Sequence, residues 1–221
     1  MKKKIKKLFY ELVEIQSDTH TSLERKVEDF IKDYLKEFDY FNENPKNFGK
    51  FDLNDSLKRS IVWGLVKKGN SKKTVILLHH HDVVDSCDYG AQKNLAYRPK
   101  ELKKSLSKLN WNEKVRKDIE DENWIFGRGT ADMKAGGAIQ IELLREFSKR
   151  NFDGNILLLS VPDEETFSEG MRKGIDLLTD LRKKHKLKYS LLIDSEPHKR
   201  KKEDVGVIFD GSVGKIMPTI Y

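Results

Sequence analysis

Cysteine is nearly absent. Cys87 is the single copy in 221 residues, which excludes an internal disulfide framework and points to a reducing compartment. No apolar run approaches the length of about 20 residues that a membrane span needs. The chain therefore reads as a soluble, cytoplasmic protein with no membrane partner. His-Glu-x-x-His is missing, and with it the signature of the single-zinc proteases. His79-x-His81 is not followed by the Asp-His of the metallo-β-lactamase pattern. No glycine-rich loop ends in Gly-Lys-Ser or Gly-Lys-Thr, which argues against a nucleotide hydrolase. Internal repeats and Pro- or Ser-rich linkers are also lacking, and 221 residues fit one domain with a sizeable core.

Positive charge is in excess, with 43 Lys and Arg against 36 Asp and Glu, a net charge of +7 and a pI near 9.2. Lys183-Lys184-His185-Lys186 and Lys199-Arg200-Lys201-Lys202 are the candidate nucleic-acid patches. Basic residues are interleaved with acids, however, and no aromatic stacking platform accompanies them. A solvated Lys-rich surface is the preferred reading, and no nucleic-acid partner is expected. The start, Met1-Lys2-Lys3-Lys4-Ile5, imitates a secretory leader. Glu11 and Glu14 interrupt the apolar stretch after it, while Ile5, Leu8, Phe9, Leu12 and Val13 keep a helical period. That pattern predicts an amphipathic first helix.

Periodicity predicts helices over 3–15 and 21–38, strands over 59–67 and 74–80, and a polar helical insertion over 100–122. A short aromatic strand at 124–126 comes next, then a helix over 133–149 and a strand over 154–161. The pattern closes with a helix over 168–184 and strands over 188–194 and 204–210. Alternation of strand and helix argues for an α/β fold, a mostly parallel sheet with helices on both faces.

Chemistry gathers at the ends of these strands. Leu77-Leu78-His79-His80-His81-Asp82 is an apolar run ending in three imidazoles and a carboxylate. Asp82 lies two residues beyond His80, so it can reach the ring nitrogen that a metal leaves free, fixing the tautomer. Gly127-Arg128-Gly129-Thr130-Ala131-Asp132 sets a carboxylate just before a helix, where backbone N–H groups favour the ionised form. Pro162-Asp163-Glu164-Glu165 and Asp194-Ser195-Glu196-Pro197 each end an apolar strand in acids. Taken singly, these are a polar strand end, a plain N-cap and solvated acidic loops. Taken together, one histidine with several carboxylates on one sheet edge suits a divalent ion: zinc, manganese or cobalt.

His80-His81-Asp82-Val83-Val84, Gly127 to Lys134, Asp163-Glu164-Glu165 and Asp194-Ser195-Glu196-Pro197 resemble, in order and spacing, the co-catalytic zinc metallopeptidases. That family includes aminoacylase, peptidase T, acetylornithine deacetylase, succinyl-diaminopimelate desuccinylase and carboxypeptidase G. Asn44 to Gly49, Arg59 to Gly64 and Val213 to Pro218 look most like its arginine-utilisation (RocB-type) branch. The resemblance implies a hydrolase of peptide or N-acyl amide bonds that carries two divalent metal ions, zinc first, with cobalt or manganese as alternatives. Its partner would be a small peptide or N-acyl amino acid. By the same resemblance His80 binds one metal, Asp132 bridges both, Glu165 binds the other, Glu164 is the general base and Asp82 orients His80. Counting from the strand start favours Asp194 as the remaining ligand, while the Glu-Pro pair favours Glu196; the choice stays open, leaning to Asp194. A cis peptide at Asp132–Met133 is implied as well.

The family pattern also requires a further histidine ligand late in the chain and an inserted lid domain. His185 and His198 do not occupy the matching context. Residues 1–210 are thus expected to be the N-terminal part of the catalytic domain, and 211–221 the start of a truncated lid (dimerisation) domain. A homodimer is expected only if that lid is present. The chain is expected to be inactive by itself, as a fragment of a longer enzyme. The rival reading is a non-catalytic metal-binding remnant.

Overall fold

A computed structural model describes residues 1–198 and 207–210. In chain order the elements are α1 (Lys2–Glu14), α2 (Glu24–Lys36), α3 (Asp39–Glu43), β1 (Phe48–Asp52), β2 (Ser60–Lys68) and β3 (Lys73–His80). After 3-10 turns at Cys87–Leu95 come α4 (Pro99–Leu106), α5 (Glu113–Glu120), α6 (Lys134–Ser148), β4 (Gly154–Val161), α7 (Glu169–His185) and β5 (Lys188–Asp194). The five strands form one sheet in the order β1-β2-β4-β3-β5.

The sheet is mixed. β3 runs parallel to both β4 and β5, whereas β2 is antiparallel to β4 and to β1. The expectation of a mostly parallel sheet therefore holds for the half that carries the chemistry. It gives way at the β1–β2 edge, because an apolar strand buried on both faces reads the same in either direction. β1 was not anticipated, and the expected strand at 124–126 is irregular. Its aromatic run leaves Trp124 half exposed rather than packed in a sheet. Residues 207–210 carry no strand, while the rest of the expected 204–210 strand, the whole 199–202 basic patch and the 211–221 lid segment lie outside the described residues.

Period-2 alternation sorts the strand side chains onto two cores. Val62, Val66, Leu77, Ile156 and Leu158 face a layer made by Leu8 and Leu12 of α1, Val27, Ile31 and Leu35 of α2, Phe38 and Phe41 around α3, and Ile141 and Leu144 of α6. Ile61, Trp63, Leu65, Ile76, Leu78, Leu157, Leu159 and Val161 face Leu177 and Leu181 of α7. All eight positions of β4 are buried, which suits a central strand. Each such leucine contributes roughly 1.5–3 kcal/mol by leaving water. Among the described residues no helix is long and apolar enough to cross a membrane.

The three parallel strands end together. His79 pairs with Ser160, His80 with Val161, and Leu78 with Asp194. The residues that follow each strand therefore leave the sheet at one edge, where α6 also begins.

Candidate metal centre

At this edge His80 is buried, with its Nε2 turned towards a group of carboxylates. His80 Nε2 lies 2.9 Å from Asp132 Oδ1, 3.5 Å from Glu196 Oε1 and 4.0 Å from Glu164 Oε2. Ligand atoms of His80, Asp132 and Glu165 all fall within 4.8 Å of one another, and so do those of His80, Glu164 and Glu196. Asp132, Glu164 and Glu196 keep 50%, 42% and 40% of their side-chain surface, so the cluster opens to solvent on the carboxylate side.

The other imidazole nitrogen is occupied. His80 Nδ1 sits 3.0 Å from the Asp82 carbonyl oxygen and 3.4 Å from Asp82 Oδ1. The backbone of Asp82 is the nearer acceptor, a difference from the side-chain contact expected from the sequence. The buried Asp82 carboxylate instead accepts the N–H groups of Glu164 and Glu165, each at 3.1 Å.

The neighbouring histidines turn away. His79 Nδ1 is 3.0 Å from Gln140 Oε1 on α6, and His81 Nδ1 is 2.9 Å from Ser160 Oγ on β4. Burial keeps both neutral, pushing His79 down to about 4 and His81 to about 3. His80 behaves oppositely. Burial opposes its charge, but Asp132 and Asp82, followed by Glu196, outweigh it and raise the imidazole to about 11. The same contact with His80 lowers Asp132. Burial raises Glu165 and Asp194, and takes Glu196 up to about 7 with help from Asp132 and Asp194.

Each carboxylate reaches the cluster through a local backbone device. Gly129, at φ 73°, makes the turn before Asp132, where a Cβ would stand 2.6 Å from Val83 Cγ1. The Asp132–Met133 peptide is cis. β4 ends at Val161, and Asp163 adopts φ 67°. That turn lets both Glu164 and Glu165 contribute to the groups around His80, where a regular strand would send them to opposite faces. Asp194 is the last residue of β5 and belongs to neither group around His80; Glu196, two residues on, belongs to one. Gly136 of α6 allows the close approach of Ser195, whose carbonyl oxygen would lie 2.7 Å from an added Cβ.

Three residues to which the sequence assigned no role in the site shape it. Gln140 bridges strand ends, donating to the Leu78 carbonyl at 2.7 Å, the Ile193 carbonyl at 3.2 Å and Ser195 Oγ at 2.7 Å. Arg59 and Glu24 lie buried behind the 163–165 turn. His185 and His198 enter neither group around His80.

One imidazole shared by two pairs of carboxylates, Asp132 with Glu165 and Glu164 with Glu196, forms a borderline-to-hard donor set, which fits divalent ions of the zinc, manganese and cobalt class. Residues 105–210 match the sequence model of peptidase family M20/M25/M40. The chain is 38% identical to the uncharacterized protein YqjN of Bacillus subtilis over 97% of this chain and 40% of that protein. It is 31% identical to protein RocB of the same organism over 99% of this chain and 40% of that protein. The chain thus spans about 40% of the length of these relatives. Human carnosine dipeptidase 1 shares the fold with a TM-score of 0.57 at 16% identity, over 87% of this chain and 38% of that one.

Proposed function

On the footing that this chain belongs to peptidase family M20/M25/M40, we propose that it supplies the larger part of a two-metal site for hydrolysis of peptide or N-acyl amide bonds. The observation that carries this reading is the convergence on His80 Nε2 of carboxylates from three other segments. His80, Asp132, Glu165 and Glu196 are the proposed ligands, zinc being the preferred ion. Glu196 is preferred to Asp194 because it stands 3.5 Å from the imidazole. A divalent ion held there would supply Lewis-acid polarisation of the amide carbonyl and acidify a water.

The protein's own groups do the rest. The Asp82 carbonyl accepts from His80 Nδ1 and so presents Nε2 outward as the ligand atom. Glu164, half exposed at the cluster's open side, takes a proton from water and returns it to the departing amine. The two amide contacts to Asp82 help aim Glu164 and Glu165 into the site.

Small peptides, N-acyl amino acids and arginine-derived amides are the proposed substrate classes. The second reading is a metal-binding remnant without catalysis, favoured by the single imidazole in the cluster among the described residues. Zinc titration by calorimetry, paired with assays on N-acyl amino acids and dipeptides, tests both. Tight binding of two ions is expected, with little hydrolysis by this chain alone. Failure to bind any divalent ion would sink the metal reading, and brisk hydrolysis would sink the remnant reading.

A further inference from the structure

Among the described residues Arg59 is the largest fully buried side chain, 1% exposed. Its place follows from the sheet register. β2 is antiparallel to β4 with Val62 opposite Ser160, so the residue preceding β2 arrives beside the residues that follow β4. Four carboxyl groups meet its guanidinium. Arg59 Nη1 donates to Asp163 Oδ1 at 2.6 Å and to Glu24 Oε1 at 3.1 Å; Nε donates to Asp55 Oδ2 at 2.6 Å and Nη2 to Glu169 Oε2 at 2.9 Å.

Two of these acids lead to the metal cluster. Glu24 uses its second oxygen to accept the Asp163 N–H at 2.9 Å. The Asp163 carboxylate accepts Thr166 Oγ1 at 2.7 Å and the Glu169 N–H at 3.2 Å, while its carbonyl accepts the Ser168 N–H at 2.7 Å. Three successive N–H groups, of Asp163, Glu164 and Glu165, therefore end on two buried carboxyls, Glu24 and Asp82. Among the described residues Arg59 is the one arginine or lysine in direct contact with Glu24 and Asp163, and the half-exposed imidazole of His20 lies 3.4 Å from Asp163.

We propose that Arg59 is a positioning residue that sets the 163–165 turn and thereby aims Glu164 and Glu165 at the metal cluster. The inference rests on the roles proposed above for those two glutamates. A plain structural ion cluster, the competing explanation, would tie β2 to β4 and affect stability without touching the geometry beyond residue 163.

Hydrogen exchange on the full chain separates the two. Arg59→Met, Arg59→Lys and Asp163→Asn are compared with the wild type at a temperature where all remain folded. Exchange of the Glu164 and Glu165 amides should quicken about tenfold or more in Arg59→Met while the β4 amides keep their protection. Arg59→Lys should restore part of the effect. Zinc affinity, read by chelator competition, should fall about 10- to 100-fold in Arg59→Met, as for other groups that orient ligands. If Arg59→Met does not fold, Asp163→Asn takes the charge out of the same contact with the guanidinium in place and is read the same way. Wild-type exchange at 164 and 165 in the folded variants would overturn the proposal. A wild-type chain that binds no zinc would instead overturn the metal reading, and the exchange rates would still decide the role of Arg59.

Discussion

The carboxylate of Asp82 accepts the backbone N–H of Glu165 at 3.1 Å across 83 positions of sequence. It also accepts that of Glu164, so one buried side chain at the end of β3 holds the turn at the end of β4. Asp82→Ala should strand both N–H groups, at about 1–3 kcal/mol for each left unpaired in the interior. It should also weaken zinc binding about 10- to 100-fold. Asp82→Asn keeps one acceptor oxygen and should lose less. Thermal unfolding and chelator competition check both quantities, and unaltered affinity in Asp82→Ala would break the link between Asp82 and the metal cluster.

Glu196 and Asp194 differ in reach. Glu196→Gln should lower zinc affinity about tenfold or more, while Asp194→Asn should lower it far less, because only the former residue joins a group around His80. Equal losses, or the reverse order, would return Asp194 to the ligand set. Both variants are readable by the same competition assay.

Glu24 should give the fold a pH dependence. Burial, then the negative charge of Asp82, raises its carboxyl to about 8 against the lowering effect of Arg59. Asp55, Asp163 and Glu169 share the same guanidinium, and His20 faces Asp163. From pH 4.5 to about 8 the unfolded chain has released this proton while the folded chain retains it, so stability declines as pH rises through that window. The contribution is at most about 1.4 kcal/mol per pH unit. Glu24→Gln mimics the protonated form and should flatten the decline. Denaturant melts at pH 5 and pH 8 measure it; the same pH slope in both proteins would show that Glu24 is ionised in the fold.

Gln140 joins α6 to two strand ends. Gln140→Leu should leave His79 Nδ1 without its 3.0 Å partner and strip the donor from the Leu78 and Ile193 carbonyls. A loss of about 1–3 kcal/mol is expected, together with faster amide exchange over 193–196 and weaker metal binding through Glu196. A Leu variant as stable as the wild type would mean that water or rotation satisfies these groups.

Much of the architecture was readable in advance because it rests on local pattern. β4 and β5 fall at 154–161 and 188–194 as the apolar runs predict, and α6 and α7 lie within a residue of their expected bounds. The histidine, aspartate and glutamates that meet at the sheet edge were legible for the same reason: each terminates a strand or precedes a helix. Arg59 and Glu24 were not legible. Their importance depends on an antiparallel pairing of β2 with β4, and nothing in an apolar strand states which neighbour it will take or in which direction. The irregular 124–126 segment failed for a related reason, since aromatic and β-branched residues favour a strand only where a partner strand exists to pair with.

The order of residues along the chain by itself determined which side chains stand at strand ends, and with them the donor chemistry of one imidazole among acids. Tertiary structure alone decided where the imidazoles of His79 and His81 turn, and whether Asp194 or Glu196 stands beside His80. It also decided that Asp82 serves the backbone of the glutamate turn. Those outcomes depend on strand register and on a left-handed backbone at Asp163, and a turn of one residue redirects every side chain after it.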